Sequence, residues 1–482
     1  ILCPASLRSQ WRSELLDRFS LRFEEVDRRA TELLRRELGP DANPFRVHQR
    51  VVASYDYVKQ PDVLAELTSA VAPSASHLPW DLLVVDEAHN LAPGPVGEES
   101  ELSRMLGGLV PLFEHRLFLT ATPHNGFTRS FSGLLERLDP VRFTRRDELT
   151  PAEEARVEDV LIRRLKREIN ERTDPPRFSE RFLQPLPIRL SREEEALSEA
   201  FRGFRAALRS AVASASRADQ RAGSFAAEVL GKRLLSGPVP FADSWWRTVE
   251  GLAETTPADA AEVRAAERAA GEETSNDAEA EARLAHAART IGAWLLPLRE
   301  KLGAEIEAVG RALEALGLPA DGAAPDVRRP RRDARFDALL GLVRERLVEN
   351  GAFRADERLV VFTEYRTTLD SLAARLAEAF PAPGALRTLT GGMPERERDA
   401  IKAAFNDPDD PVRLLVATDA ASEGLNLQET ARYLLHYDVP WNPARLEQRN
   451  GRLDRHGQAR DVTVFHFASD EDDDLGFLAY VI

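Results

Sequence analysis

A single cysteine among 482 residues, Cys3, leaves nothing from which to build an internal disulfide framework. Such sparing thiol usage suits a reducing compartment, so a cytoplasmic location is expected. No uninterrupted apolar stretch approaches the roughly 18 residues that a membrane-spanning helix needs, and no membrane partner is expected. Lysine is also scarce, with five residues against sixty arginines, a bias that a GC-rich genome would produce and that says little about activity. The chain opens Ile1-Leu2-Cys3-Pro4, with neither an initiating methionine nor the basic flank of a signal peptide. It closes on Phe477 to Ile482 without a polar tail, and both ends read as cuts in a longer protein.

What remains is the composition of a globular protein, 43% hydrophobic and 30% charged, long enough for about two to four domains with real cores. The net charge of −15 runs against polyanion binding, because affinity for a duplex depends on neutralising its phosphates. That charge is uneven. Ala242 to Ala282 holds eleven acidic residues against three arginines, whereas Arg328-Arg329-Pro330-Arg331-Arg332 is densely basic.

Residues 1–170 alternate short buried-strand patterns (Ile1 to Cys3, Val51 to Ser54, Leu82 to Val85, Leu117 to Thr120) with amphipathic segments at Gln10 to Phe19, Ala30 to Leu38 and Pro61 to Val71. Alternation of this kind predicts a parallel sheet covered by helices. Residues 171–330 are rich in Ala, Glu and Arg, with helical spacing at Phe201, Phe204 and Leu208 and no convincing strand. Within them, Glu254 to Glu281 reads as a flexible linker or a solvated helix. From 331 to 482 the alternation returns, with a helix through Phe336, Leu339, Leu340 and Val343 and strands at Leu359 to Phe362, Leu414 to Ala417 and Val462 to Phe465. The expected class is α/β, two parallel-sheet lobes flanking a mainly helical insertion.

Asp86-Glu87-Ala88-His89 follows the apolar run Leu82 to Val85, at the carboxyl end of a strand, where open α/β sheets place ligands. There Asp86 would hold Mg²⁺ through water, and Glu87 would orient and deprotonate an attacking water. Thr120-Ala121-Thr122-Pro123 ends the next strand, and its hydroxyls could bond to Asp86 or His89 and couple nucleotide state to closure of the lobes. In the last third, Thr363 closes one strand, while Thr418, Ser422, Gly424 and Asn426 form the loop after another. Such short polar groups beside a glycine suit a phosphate backbone contacted without base reading. Gln448, Arg452 and Arg455 are spaced i, i+4, i+7, so a helix would carry all three on one face. Arginine offers phosphate two parallel charge-assisted bonds, and one supplied to a phosphoryl transfer stabilises its developing charge.

A phosphate-cradling loop needs Gly-x-x-x-x-Gly-Lys-Ser/Thr. The only Gly-Lys pair, Gly231-Lys232, has Ala226 where the first glycine belongs and Arg233 in place of the hydroxyl residue, and it lies in the helical region. It is not such a loop. By itself this stretch of chain is expected to hydrolyse ATP poorly.

Taken in order, these motifs resemble superfamily 2 helicases and, within them, the Swi/Snf-like DNA translocases. The segment Ile1 to Leu15, with Cys3-Pro4-Ala5-Ser6-Leu7 and Gln10-Trp11, is similar to the stretch that follows that family's phosphate loop. Arg163-Arg164-Leu165-Lys166 resembles the close of its first lobe, and Trp441-Asn442-Pro443 its approach to the last motif. The resemblance implies two RecA-like lobes, ATP and Mg²⁺ as cofactors, and duplex DNA as partner. It implies roles for Asp86, Glu87, His89, Gly424, Gln448, Arg452 and Arg455 at the nucleotide, and for Thr363, Thr418, Ser422, Asn426 and Trp441 at DNA. The wording Leu119 to Gly126 and Gly451 to Arg455 is closest to bacterial members. Among these are ATPases that recycle RNA polymerase and the helicase of the DISARM phage-defence system, and the second is the narrower reading. Partners from phage defence, or RNA polymerase, would follow.

Two other readings stay open. An RNA helicase shares the Asp-Glu-Ala-His box, although Arg163-Arg164-x-Lys166 and Trp441-Asn442-Pro443 weigh against it. A non-catalytic scaffold would bind DNA or partners without turnover, but Glu87, Arg452 and Arg455 are intact, and degenerate motors commonly lose such groups.

Overall fold

The computed structural model describes the chain apart from residues 72–79, 95–98, 125, 175, 272–273, 275, 423–424, 441–442 and 470–482. It divides into two compact units, Ile1–Glu168 and Ile169–Ile482. The first is built on five parallel strands, β1 (Leu2–Cys3), β2 (Glu24–Val26), β3 (Val51–Ser54), β4 (Leu82–Val85) and β5 (His115–Phe118), in the order β2-β3-β1-β4-β5. The run Val51 to Ser54 is buried throughout, as expected of a parallel strand covered on both faces. Helices cross between the strands. One of them, Arg28–Leu38, starts where Asp27 accepts the Ala30 N–H at 2.8 Å and stops at Gly39, which takes a positive φ of 106°.

The second unit carries a six-stranded parallel sheet and a two-stranded hairpin. Its strands are β6 (Arg181–Pro187), the hairpin β7 (Val348–Glu349) and β8 (Ala352–Phe353), then β9 (Leu359–Thr363), β10 (Leu386–Leu389), β11 (Leu414–Thr418), β12 (Tyr433–His436) and β13 (Val462–Ala468). The large sheet runs β10-β11-β9-β12-β13-β6. The chain is thus α/β with two parallel-sheet lobes, as its alternating pattern predicts. β6 corrects the reading that residues 171–330 lack a strand: it pairs along its whole length with β13. Pro185 and Pro187 hide it in the sequence, and they are tolerated because β6 is an edge, where a missing N–H breaks no ladder.

Between β6 and the hairpin lies a helical block of α1 (Arg192–Val212), α2 (Arg217–Ser236), α3 (Pro238–Gly251), α4 (Ala260–Gly271), α5 (Asp277–Leu295) and α6 (Arg299–Ala315). Ser191 and Glu194 form a capping box at the start of α1. Phe201, Phe204, Phe241 and Trp245 pack at its centre, with Phe204 meeting Trp245 edge-on at 5.1 Å. α3 and α5 cross almost backbone to backbone. A Cβ added at Gly251 would stand 2.1 Å from the Arg289 carbonyl oxygen, and one at Gly292 would stand 2.0 Å from that of Thr248. Only glycine fits at either position.

Of the two readings of Glu254 to Glu281, flexible linker or solvated helix, the structure shows helix over Ala260–Gly271 and from Asp277 onward. Val263 and Ala266 of α4 are buried in the block, and Asp277 and Glu281 begin a helix that docks on the second sheet. The acidic residues between them gave the stretch its disordered look, while one apolar face of α4 was enough to fold it. The basic run is also spent internally: Arg328 bonds to the Ala323 carbonyl at 2.8 Å, Arg329 pairs with Glu378, and Arg331 reaches the Ala315 carbonyl at 3.3 Å. Limited trypsin digestion should therefore spare Arg264 and Arg268 on the timescale that cuts exposed loops. Early cleavage at these two bonds would return the stretch to a linker.

Candidate functional site

In the first unit the chemistry gathers at the carboxyl ends of β4 and β5. The Asp86 N–H is tied to the Leu2 carbonyl at 2.8 Å and the Ala88 N–H to that of Leu119 at 2.9 Å, so the acidic turn is pinned from both neighbouring strands. Between them Glu87 adopts φ 46°, left-handed for a residue that is not glycine. Such a conformation costs on the order of 1–3 kcal/mol and persists only where the surroundings enforce it. The Asp86 carboxylate accepts the Trp11 indole N–H at 2.8 Å on one oxygen and the Glu87 N–H at 2.9 Å on the other. His89 Nδ1 lies 3.3 Å from Glu87 Oε2 and 2.9 Å from Thr120 Oγ1, and the Thr120 hydroxyl also accepts the Thr122 N–H at 3.1 Å. Asp86, Glu87, His89, Thr120 and Thr122 are thereby one connected cluster. Trp11, which orients Asp86, had no signal in the sequence beyond its place in the opening segment. Cys3 sits close by and is inert: burial first, and the Asp86 charge second, push its thiol up to about 12.

In the second unit the arginine motif departs from expectation. The helix α8 (Pro443–Asn450) ends before Arg452 and Arg455, which lie in the turns that follow, so Gln448, Arg452 and Arg455 do not share one helical face. Leu453, fully buried, pulls the chain inward at that point. The turns bring the motif to the loop after β11 instead: the Leu427 N–H donates to the Arg452 carbonyl at 3.1 Å, and Arg455 donates to Asn426 Oδ1. Gly424 and Trp441 lie outside the described residues, and so does the side chain of Ser422.

Thr363 and Thr418 are both fully buried and both donate inward, Thr363 to Asp438 Oδ2 at 2.5 Å and Thr418 to Asp277 Oδ2 at 2.6 Å, so neither hydroxyl is presented to a phosphate in this structure. Asp438 is the hub. It also accepts the Ser236 hydroxyl at 2.6 Å, the Glu364 N–H at 2.9 Å and Arg449 Nη2 at 3.2 Å. Arg449, 1% exposed, completes the centre with a two-pronged bond to Asp419 at 2.5 and 2.9 Å and one to the Asp438 carbonyl at 2.7 Å. Burial works against its charge, but Asp419 and then Asp438 hold it protonated beyond the usual range. Sequence reading passed over Arg449 in favour of its neighbours.

Residues 338–457 match the helicase conserved C-terminal domain family, a span that includes Thr363, Thr418, Asn426, Gln448, Arg452 and Arg455. The chain is similar to the uncharacterized ATP-dependent helicase YqhH of Bacillus subtilis, 38% identical over 116 residues, 24% of this chain and 20% of that protein. It is similar along 96% of its length to the RNA polymerase-associated protein RapA of Stutzerimonas stutzeri (27% identical, 41% of that protein) and of Vibrio campbellii (27%, 42%). The chain thus spans about two fifths or less of the length of these relatives. Among solved structures, the Pyrococcus furiosus Hef helicase domain aligns with a TM-score of 0.46 at 16% identity, over 100% of this chain and 88% of that one. The Sulfolobus solfataricus SWI2/SNF2 ATPase core in complex with dsDNA aligns with a TM-score of 0.30 at 15% identity, over 97% and 76%.

The buried centre makes stability depend on charge in a defined way. Arg449→Ala strands two carboxylates and should cost the second unit about 3–5 kcal/mol in denaturant unfolding. His436, buried beside Arg449, bonds through Nε2 to Asn450 Oδ1 at 3.0 Å, and burial first and Arg449 second hold its pKa well below the ordinary 6.5. Protons therefore bind the unfolded ring before the folded one. Stability is intact above about pH 6.5 and is lost as pH falls through that value toward the folded pKa, and His436→Gln should flatten the slope.

Proposed function

We propose that this chain, which carries a helicase conserved C-terminal domain in residues 338–457, is the motor portion of an ATP-dependent, Swi/Snf-like DNA translocase. The observation that carries the reading is Glu87, held left-handed at the end of β4 between Asp86, His89 and Thr120. A strained carboxylate fixed beside a second carboxylate suits a general base next to a metal-bound phosphate, and neither strain nor clustering is needed for a solvated strand end.

Among the described residues no group of three or more acidic, histidine or cysteine side chains could cage a metal ion. Mg²⁺ does not require one, since it keeps several waters and binds through one or two carboxylates, so Asp86 fits it as a water-mediated ligand. Bound there, Mg²⁺ with ATP would supply a polarised phosphoryl group. The phosphate cradle itself does not fit any residues of this chain: Gly231-Lys232 lies inside α2. On this reading Glu87 orients and deprotonates water, His89 and Thr120 register the state of that site, and Arg452 and Arg455 stabilise phosphate charge. Duplex DNA is the favoured polymer, for which Arg163-Arg164-x-Lys166 and the resemblance of the ordered motifs to Swi/Snf-like translocases speak, and RapA's name makes RNA polymerase the first protein partner to try. A place in phage defence rests on the wording of Leu119 to Gly126 and Gly451 to Arg455 alone.

In the full-length protein, Glu87→Gln should lower duplex-stimulated ATP hydrolysis by about 10²-fold or more while ATP still binds. Undiminished hydrolysis would remove Glu87 from the role of base. Arg455→Ala should depress the hydrolysis rate far more than DNA affinity, and a pure loss of DNA binding would reassign it to the polymer.

A further inference from the structure

The helical block meets the second sheet where α5 begins. Asp277, its first residue, is 5% exposed, and one carboxylate oxygen accepts both the Gly391 N–H and the Thr418 hydroxyl, each at 2.6 Å. Its own N–H points back at the Gly391 carbonyl, 3.4 Å away. Gly392 takes φ +82°, and a Cβ there would stand 2.9 Å from the Asn276 side chain, so the turn after β10 is shaped to admit this stretch of the block. One turn further along α5, Glu281 accepts the Thr367 N–H at 3.0 Å, in the first turn of α7 (Arg366–Ala379), and takes two bonds from buried Arg233 at 3.1 and 3.2 Å.

Asp277 therefore rests at the carboxyl ends of parallel strands and Glu281 on the start of α7 and on Arg233 of the block's own α2; a backbone N–H beside glycine, a hydroxyl and a helix start are donors that also hold phosphate oxygens. Residues four apart on a helix stand about 5–6 Å apart at Cβ, close to the step between successive phosphates of one strand. Asp277 is also an uneasy occupant. Among the described residues no cation lies within ion-pair distance of it, and burial, the largest influence, raises its carboxyl above the ordinary value although Thr418 and Gly391 pull the other way.

We propose that Asp277 and Glu281 stand in for two successive backbone phosphates of duplex DNA, so that the start of α5 must leave Gly391, Thr418 and Thr367 before the second unit can hold the polymer there. The inference rests on the DNA-motor reading above and adds a self-occupied resting state to it. The exchange is balanced in charge, because the donors at Gly391, Thr418 and Thr367 trade carboxylates for phosphates. It also explains why Thr418, placed by sequence at DNA, is found buried and turned inward.

The test is duplex binding by the chain, read by anisotropy of a labelled oligonucleotide, for the unaltered protein, Asp277→Ala and Asp277→Asn. Glu254→Ala, which removes one charge from an exposed position, serves as the control. Asp277→Ala should tighten binding about tenfold, with Asp277→Asn between it and the unaltered protein, while the control shifts Kd by less than about twofold. On saturation with DNA, the amides of residues 277–282 in the unaltered protein should lose hydrogen-exchange protection. Binding no tighter in Asp277→Ala than in the control overturns the proposal, as does retained protection in the DNA-bound protein, and either leaves the DNA-motor reading standing. If no form binds duplex DNA, that reading falls and takes this one with it.

Discussion

A carboxylate buried to 6% exposure must be met by donors, and Asp438 draws them from three separate stretches of chain: Ser236 of the helical block, Thr363 and Glu364 at the end of β9, and Arg449 of α8. Removing any of them would leave polar atoms in the interior without the water they gave up on folding, which is what makes such a network hard to alter piecemeal. The rest of the second unit is arranged around that requirement. The helical block is fastened to the strand ends through Asp438 and through Asp277 with Thr418, and to the start of α7 through Glu281 and Arg233 with Thr367. The turn bearing Arg452 and Arg455 follows the helix that Arg449 anchors.

The first unit follows the same logic on a smaller scale. Backbone bonds from Leu2 and Leu119 fix both flanks of Asp86-Glu87-Ala88, and the price is a left-handed Glu87. Strain of this kind is held where a side chain has to be aimed. Trp11 and His89 then set the two carboxylates relative to one another. Each unit thus places its polar chemistry at the carboxyl ends of a parallel sheet, as open α/β sheets do.

How much of this the sequence disclosed follows from what sets each feature. Runs such as Val51 to Ser54 and Leu414 to Thr418 are apolar because they are buried on both faces, so composition alone finds them. β6 escaped because edge strands tolerate proline, and α4 because two buried residues among many acidic ones suffice to pack it. Motif spacing located Asp86, Glu87 and the Gln448–Arg455 stretch, since local chemistry dictates those residue types. It could not tell that Arg449 rather than Arg452 faces inward, nor that Thr418 is answered by Asp277, which lies 141 positions away in the chain. Long-range polar partners leave no local pattern. The acidic character that counted against nucleic-acid binding is, in α5, a set of carboxylates matched to specific donors.

If the helical block is welded to the second sheet by this network, the two cannot unfold independently. Native-state hydrogen exchange as a function of denaturant tests this directly, comparing core amides of α1 and α3 with those of β9, β11 and β12. The account predicts one shared opening free energy and one denaturant slope for both groups. Separate isotherms, with the block opening well below the sheet, would contradict it and make the contacts at Asp438 and Asp277 incidental to the fold.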